Sequence, residues 1–154
     1  MKSVTINNEM SLSYPDEFVE MGGEELIKYF GSPENRWGAY DEDNHIMLSV
    51  YWKKAGFFGF LTDAESYLFG AEARLRRNLL NYQRLGSFKT KIAKKKGYGI
   101  RFEYRVNDAR LVQIGDIFAF KNKGKFYAVY YITRKSNAAE SRPAFEEVLN
   151  SITV

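Results

Sequence analysis

The alternation of apolar and polar residues along the chain predicts a protein made mainly of β-strands. Strands are expected at about 2–6, 10–14 and 46–52, where apolar residues recur at every second position. Four more strands follow in a row, at about 88–92, 98–106, 110–121 and 126–133. The last of these is apolar or aromatic on both faces, which is typical of a central strand covered on both sides.

Three segments have the periodicity of amphipathic helices. The first spans about 23–30. The second follows a capping-box sequence, Thr-Asp-Ala-Glu at 62–65, and its apolar positions continue to about Tyr82. The third spans about 142–150, with Pro143 near its first position. Hairpin-linked strands with helices around them predict an α+β fold, an α/β/α sandwich with a central antiparallel sheet flanked by helices.

The order of these elements resembles the PsbP-like superfamily, which includes the photosystem subunit PsbP, the nuclear-transport factor Mog and bacterial DcrB-like proteins. The resemblance is carried by Tyr14-Pro15-Asp16-x-Phe18, by the hairpin strand 126–131 and by the tail Phe145-x-x-Val148-Leu149-x-Ser151-Ile152. It implies one domain over residues 1–154 and no shared catalytic residue. Some related bacterial members are chaperones for secreted effectors, so a chaperone function is what the resemblance implies.

The composition excludes several kinds of site. The chain of 154 residues is 45% apolar and 27% charged, an ordinary balance for a globular protein. It has no cysteine, which rules out disulfides, thiolate metal sites and a lipid-modified cysteine. The one histidine, His45, has no second histidine with which to form a zinc site or a catalytic pair. We therefore predict that the chain is not an enzyme, with no catalytic residue, no metal site and no cofactor.

The N-terminus has one lysine but no apolar run behind it, so it does not have the pattern of a signal peptide. No segment of the sequence approaches the length of a membrane span. These observations lead us to expect a cytoplasmic protein that does not insert into a membrane.

Charge is distributed unevenly along the chain. Residues 1–72 carry 5 basic and 13 acidic side chains, whereas residues 73–102 carry 10 basic side chains and no acidic one. A basic segment of this kind is found in nucleic-acid-binding proteins, but packing against the acidic segment could also neutralise it. The small net charge of +4 favours neutralisation. Phe88 and Ile92 alternate with Lys89 and Lys91 and so face away from them, which argues against stacking on nucleic-acid bases.

One candidate partner surface is a face of the sheet. Arg101, Glu103 and Arg105 share one face of their strand. Tyr127 and Tyr131 share one face of the predicted central strand. If these two rows align, they form a groove of tyrosine and arginine, the residue types that dominate binding hot spots.

The alternative partner surface is an apolar loop formed by Phe57, Phe58, Phe60 and Leu61. These side chains either form an exposed anchor or cap the core beneath the long helix. The leading hypothesis is a non-catalytic module that binds another protein or a peptide. The alternatives are a basic nucleic-acid-binding protein and a small-ligand carrier or enzyme, which a pocket with convergent polar groups would favour.

Overall fold

The main feature of the chain is a large antiparallel sheet, as the computed structural model shows for residues 1–57 and 59–154. The strands are β1 (Lys2–Ile6), β2 (Met10–Tyr14), β3 (Val19–Glu20), β4 (Arg36–Asp41), β5 (Ile46–Lys54), β6 (Leu80–Ile92), β7 (Lys95–Val106), β8 (Leu111–Asn122) and β9 (Lys125–Arg134). The helices are α1 (Gly23–Phe30), α2 (Ala64–Asn78) and α3 (Ala138–Asn150). No helix of the described residues is long and apolar enough to cross a bilayer.

Seven strands form the sheet in the order β3-β4-β5-β9-β8-β7-β6, and each pair of neighbours is antiparallel. β1 and β2 form a separate hairpin. The apolar strand β9 lies in the middle, as its sequence predicts. One edge of the sheet is β3, which has 2 residues, and the other is β6, which has 13.

The sheet has an apolar layer on each face, so the predicted sandwich is confirmed. On β8, Phe118 and Phe120 face the core formed with α3 and the β1–β2 hairpin. Ile117 and Ala119 alternate with them and face the core formed with α2. α1 packs on the same face as α2, because Leu26 fills the space above the backbone of β4.

The predicted second helix is too long. α2 ends at Asn78, and the backbone of Leu79 is already extended. Leu80 is the first residue of β6, where it pairs with Arg105 of β7. The apolar side chains of this segment continue a helical pattern, but its backbone hydrogen bonds go to the sheet. Tyr82 is therefore a strand residue and not the last turn of a helix.

Two predicted helix starts are also wrong. The N-cap of α2 is Asp63 and not Thr62, since the Asp63 carboxylate accepts a hydrogen bond from the backbone N–H of Ser66 at 2.9 Å. α3 begins at Ala138, so Pro143 lies inside the helix and not near its first position.

Candidate functional site

The sheet-face groove is only partly formed. Arg101 lies opposite Asp116 on β8, and Asp116 lies opposite Tyr131 on β9, so the three share one face. The Arg101 Nε donates to Asp116 Oδ1 at 2.8 Å, and Nη2 donates to Oδ2 at 3.2 Å. The alignment of arginine and tyrosine rows across the sheet is present here, with a buried carboxylate between them.

Both tyrosines of this groove are buried. Tyr127 has 0% exposure, and its hydroxyl donates to Glu9 and accepts a hydrogen bond from Asn7 in the β1–β2 turn. Burial raises the pKa of Tyr127 to about 12. The ring of Tyr131 stacks on Phe145 of α3 with 4.5 Å between centroids. The hairpin and α3 thus cover the part of the face that the tyrosines occupy, and the tyrosines do not line an open surface.

The other residues of the groove are bonded to their own chain. The Glu103 carboxylate forms an ion pair with the Lys135 ammonium group, with 2.9 Å between Oε1 and Nζ. The Arg105 guanidinium donates to the backbone carbonyl of Ala109 at 3.1 Å. A partner-binding role for Arg101, Glu103 and Arg105 stays a prediction.

Three residues of the apolar loop lie in solvent. Phe57, Phe60 and Leu61 are 90%, 78% and 72% exposed, so these three do not cap the core beneath α2. Phe58, the fourth residue predicted for this surface, lies outside the described residues. The Lys121 ammonium group attaches residues 59–62 to the sheet, since it donates to the carbonyls of Gly59 and Thr62.

A third surface, the outer edge of β6, was not predicted from the sequence. Among the described residues no strand pairs with this edge. The pairing with β7 is regular from Gly86 to Ile92, whereas two irregularities interrupt it between Leu80 and Gly86. The second half of β6 therefore presents a straight row of backbone donors and acceptors, the kind of edge to which another strand can add.

The first half of β6 is held on α2 by a buried carboxylate. Glu72 of α2 accepts hydrogen bonds from Arg84 Nε at 2.7 Å and from the Tyr82 hydroxyl at 2.8 Å. The hydrogen bonds from Arg84 hold the pKa of the Glu72 carboxyl below its usual value, against the opposing effect of burial. This anchor attaches the first half of β6 to α2, and the second half is held by its regular pairing with β7.

A cleft flanks the open half of β6 on each face of the sheet. The larger cleft, about 460 Å³, lies between β6 and α3, and Phe88, Phe118 and Leu149 supply its apolar walls. The smaller one, about 290 Å³, lies beside α2, where Phe69 and Tyr98 contribute. Side chains of an added strand would alternate between these two clefts.

The open edge is basic. Five lysines lie on the β6–β7 hairpin, and none of them forms an ion pair among the described residues. They are Lys89, Lys91, Lys94, Lys95 and Lys96. The larger cleft is lined by two arginines and two carboxylates, Arg101, Arg142, Asp116 and Glu146. Lys89 and Lys91 also border it, but they alternate with Phe88 and point to the α2 side. Strands from the acidic segment 1–72 occupy the opposite end of the sheet. Among the described residues, the acidic segment neutralises the basic one only through Glu72, which pairs with Arg76 and Arg84. Arg101 is paired with Asp116, which lies outside the acidic segment.

Comparison with known proteins supports the fold. Neither a protein-family model nor a curated protein sequence matches the chain. Among solved structures, cyanobacterial PsbP (CyanoP) from Synechocystis sp. PCC 6803 is similar, with a TM-score of 0.70 and 14% identity over 99% of this chain and 91% of that one. The Saccharomyces cerevisiae Ran-binding protein Mog1p has a TM-score of 0.66 and 10% identity, covering 99% and 94%.

LpqN, a protein involved in cell envelope biogenesis of Mycobacterium tuberculosis, has a TM-score of 0.67 and 12% identity, covering 99% of this chain and 90% of LpqN. All three similarities extend over nearly the whole chain. The chain therefore has the PsbP-like fold, which confirms the resemblance seen in its sequence at the level of fold.

Proposed function

We propose that the chain, as a single domain over residues 1–154, is a non-catalytic module that binds an extended acidic segment of another protein. The segment adds to the outer edge of β6 as a further strand of the seven-stranded sheet. The observation that carries this proposal is the open, regular and basic half of β6 with a cleft on each side. The Ran-binding protein Mog1p is an example of protein binding by a chain with a similar fold.

Strand addition divides affinity and specificity between backbone and side chains. Backbone hydrogen bonds along 86–92 hold an extended segment with little regard to its sequence. Apolar side chains of the segment enter the cleft beside Phe88, and acidic side chains meet Lys89 and Lys91. A chaperone for secreted effectors also binds a segment of another protein, and a cytoplasmic protein would do this before export.

The charge of the edge favours an acidic segment over a second copy of the chain. Two β6 edges brought together would place one set of lysines beside the other, and like charges on paired strands are destabilising. The edge also fits nucleic acid poorly. Phe88 packs near Phe118 on the α3 side, whereas Lys89 and Lys91 occupy alternate positions and face the other way.

Acidic peptides selected from a phage-displayed random library will lose affinity when the edge is reversed in charge. We expect Lys89→Glu/Lys91→Glu to weaken binding by about tenfold or more, because two attractions become repulsions. Lys53→Glu/Lys54→Glu is the matched control, since these lysines are also exposed strand residues. It should change the dissociation constant by about twofold or less. Isothermal titration calorimetry measures both.

Hydrogen exchange locates the bound peptide. We expect slower exchange of backbone amides within 86–92, because an added strand accepts hydrogen bonds from the N–H groups that point away from β7. Protection confined to the loop around Phe60, with loss of binding in Phe60→Ala, would instead make the apolar loop the partner surface. Salt-sensitive binding of single-stranded DNA, lost in Lys89→Glu/Lys91→Glu, would favour the nucleic-acid alternative.

A further inference from the structure

A separate cleft lies between α1 and α2, on the face of the sheet away from α3. Its volume is about 370 Å³, within the range of small-molecule sites. Most of its wall is apolar or aromatic, with Tyr29 and Phe30 on α1 and Tyr104 and Tyr130 rising from the sheet. Two cationic side chains, Arg36 and Arg74, also line it. The cleft therefore combines an apolar wall with positive charge.

Arg36 is a half-buried cation without an acidic partner. Its guanidinium carbon lies 4.3 Å from the centroid of the Phe30 ring, 5.0 Å from that of Tyr51 and 5.4 Å from that of Tyr130. Its Nη1 donates to the Ser49 hydroxyl at 3.0 Å. Among the described residues no ion pair involves Arg36. Burial lowers the pKa of this guanidinium, and the neighbouring tyrosines oppose that effect only in part.

Arg74 places a second positive charge at the same cleft. It is exposed on α2, and it too has no ion pair among the described residues. Burial raises the pKa of the Tyr67 and Tyr130 hydroxyls, and the positive charges of Arg36 and Arg74 oppose that rise at both. The Tyr67 hydroxyl is itself buried without a hydrogen-bond partner among the described residues. The two cations therefore converge on one region.

We propose that this cleft binds a small aromatic carboxylate. The carboxylate lies between Arg36 and Arg74, and the aromatic body lies against Phe30, Tyr104 and Tyr130. A carboxylate matches the planar guanidinium with paired hydrogen bonds, and it supplies the charge that Arg36 lacks within the chain. Inorganic phosphate would meet the arginines but leave the apolar wall in contact with water, so the wall favours an organic anion.

Naphthoate and its neutral amide, naphthamide, test the proposal, because the two probes share a shape and differ in charge. We expect the wild-type chain to bind naphthoate about tenfold or more tightly than naphthamide, as measured by calorimetry. Arg74→Gln should remove most of this preference. Arg74 is exposed, so this variant is expected to fold. Arg77→Gln is the control, because it removes an exposed arginine of α2 that does not line the cleft.

Arg36→Gln should also abolish the preference for naphthoate, with its folding checked by circular dichroism. The ring resonances of Tyr104 and Tyr130 should shift in the NMR spectrum when naphthoate binds. Equal affinity for the two probes, no binding of either, or phosphate that displaces naphthoate at similar concentration would overturn the proposal. An unchanged preference in Arg74→Gln would also overturn it. Peptide binding at β6 is measured separately. A failure of naphthoate binding would therefore not contradict the proposed peptide binding, and a failure of peptide binding would not contradict the proposed carboxylate site.

Discussion

Replacing Phe145 by alanine is expected to lower the free energy of unfolding by about 3–5 kcal/mol. The Phe145 side chain is 1% exposed and attaches α3 to the sheet. Its ring stacks on Tyr131 and meets Phe118 edge-on at 5.8 Å between centroids. Truncation removes these contacts and leaves a cavity beneath the helix, since a packed core closes such a gap only in part. Urea denaturation followed by circular dichroism measures the loss.

The matched control is Phe60→Ala, which deletes the same side chain where it is 78% exposed. Its effect on the free energy of unfolding should stay within about 0.5 kcal/mol. Similar losses in the two variants would contradict the described packing of α3. Phe145 also lines the larger cleft beside β6, so its truncation should weaken peptide binding as well as stability.

Periodicity in the sequence was sufficient to predict most elements and the layered fold. It failed at β4, where alternation is hard to see because a glycine occupies a core-facing position. At Gly38 a side chain would meet Met21 Sδ at 2.9 Å and Leu26 at 3.2 Å, so the strand has a small residue beneath α1. Met21 and Leu26, which lie outside β4, fill that position, and the pattern within β4 does not show them.

The face of each strand was easier to predict than its exposure. Alternation predicts that Arg101 shares a strand face with Arg105 and that Tyr131 shares one with Tyr127. The strand register then places Arg101 and Tyr131 on one face of the sheet. Whether that face is open depends on the β1–β2 hairpin and α3, which come from the two ends of the chain and pack over it. Tyr127 is buried because Asn7 and Glu9 lie above it. Glu9 and Tyr127 are 118 positions apart in the sequence.

The two proposed sites depend on strand order, which local patterns do not determine. The lysines of β6 form an open edge only because β6 is the last strand of the sheet. Arg36 lines a cleft only because α1 and α2 pack on the same face. The sequence did predict the charge of the basic segment, but the structure places its lysines away from the acidic strands.

Gly115→Ala is expected to lower the free energy of unfolding by about 1–3 kcal/mol, because the added methyl group overpacks the core on the α2 face. Phe102 lies opposite Gly115 across β7 and β8, and its ring covers the glycine. A Cβ at position 115 would be 2.3 Å from the ring carbon Cζ. The ring is 1% exposed and stacks on Tyr82 with 5.3 Å between centroids, so it has little room to move.

Gly70→Ala is the matched control and should act in the opposite direction. Nothing lies within 4 Å of a Cβ at this exposed position of α2. Alanine should therefore stabilise the fold by about 0.5–1 kcal/mol, because it restricts the unfolded chain and favours the helix. Phe102→Leu in the Gly115→Ala background should recover part of the lost stability, since a smaller side chain makes room for the methyl group. If Gly115→Ala and Gly70→Ala change stability equally, the ring of Phe102 does not limit position 115.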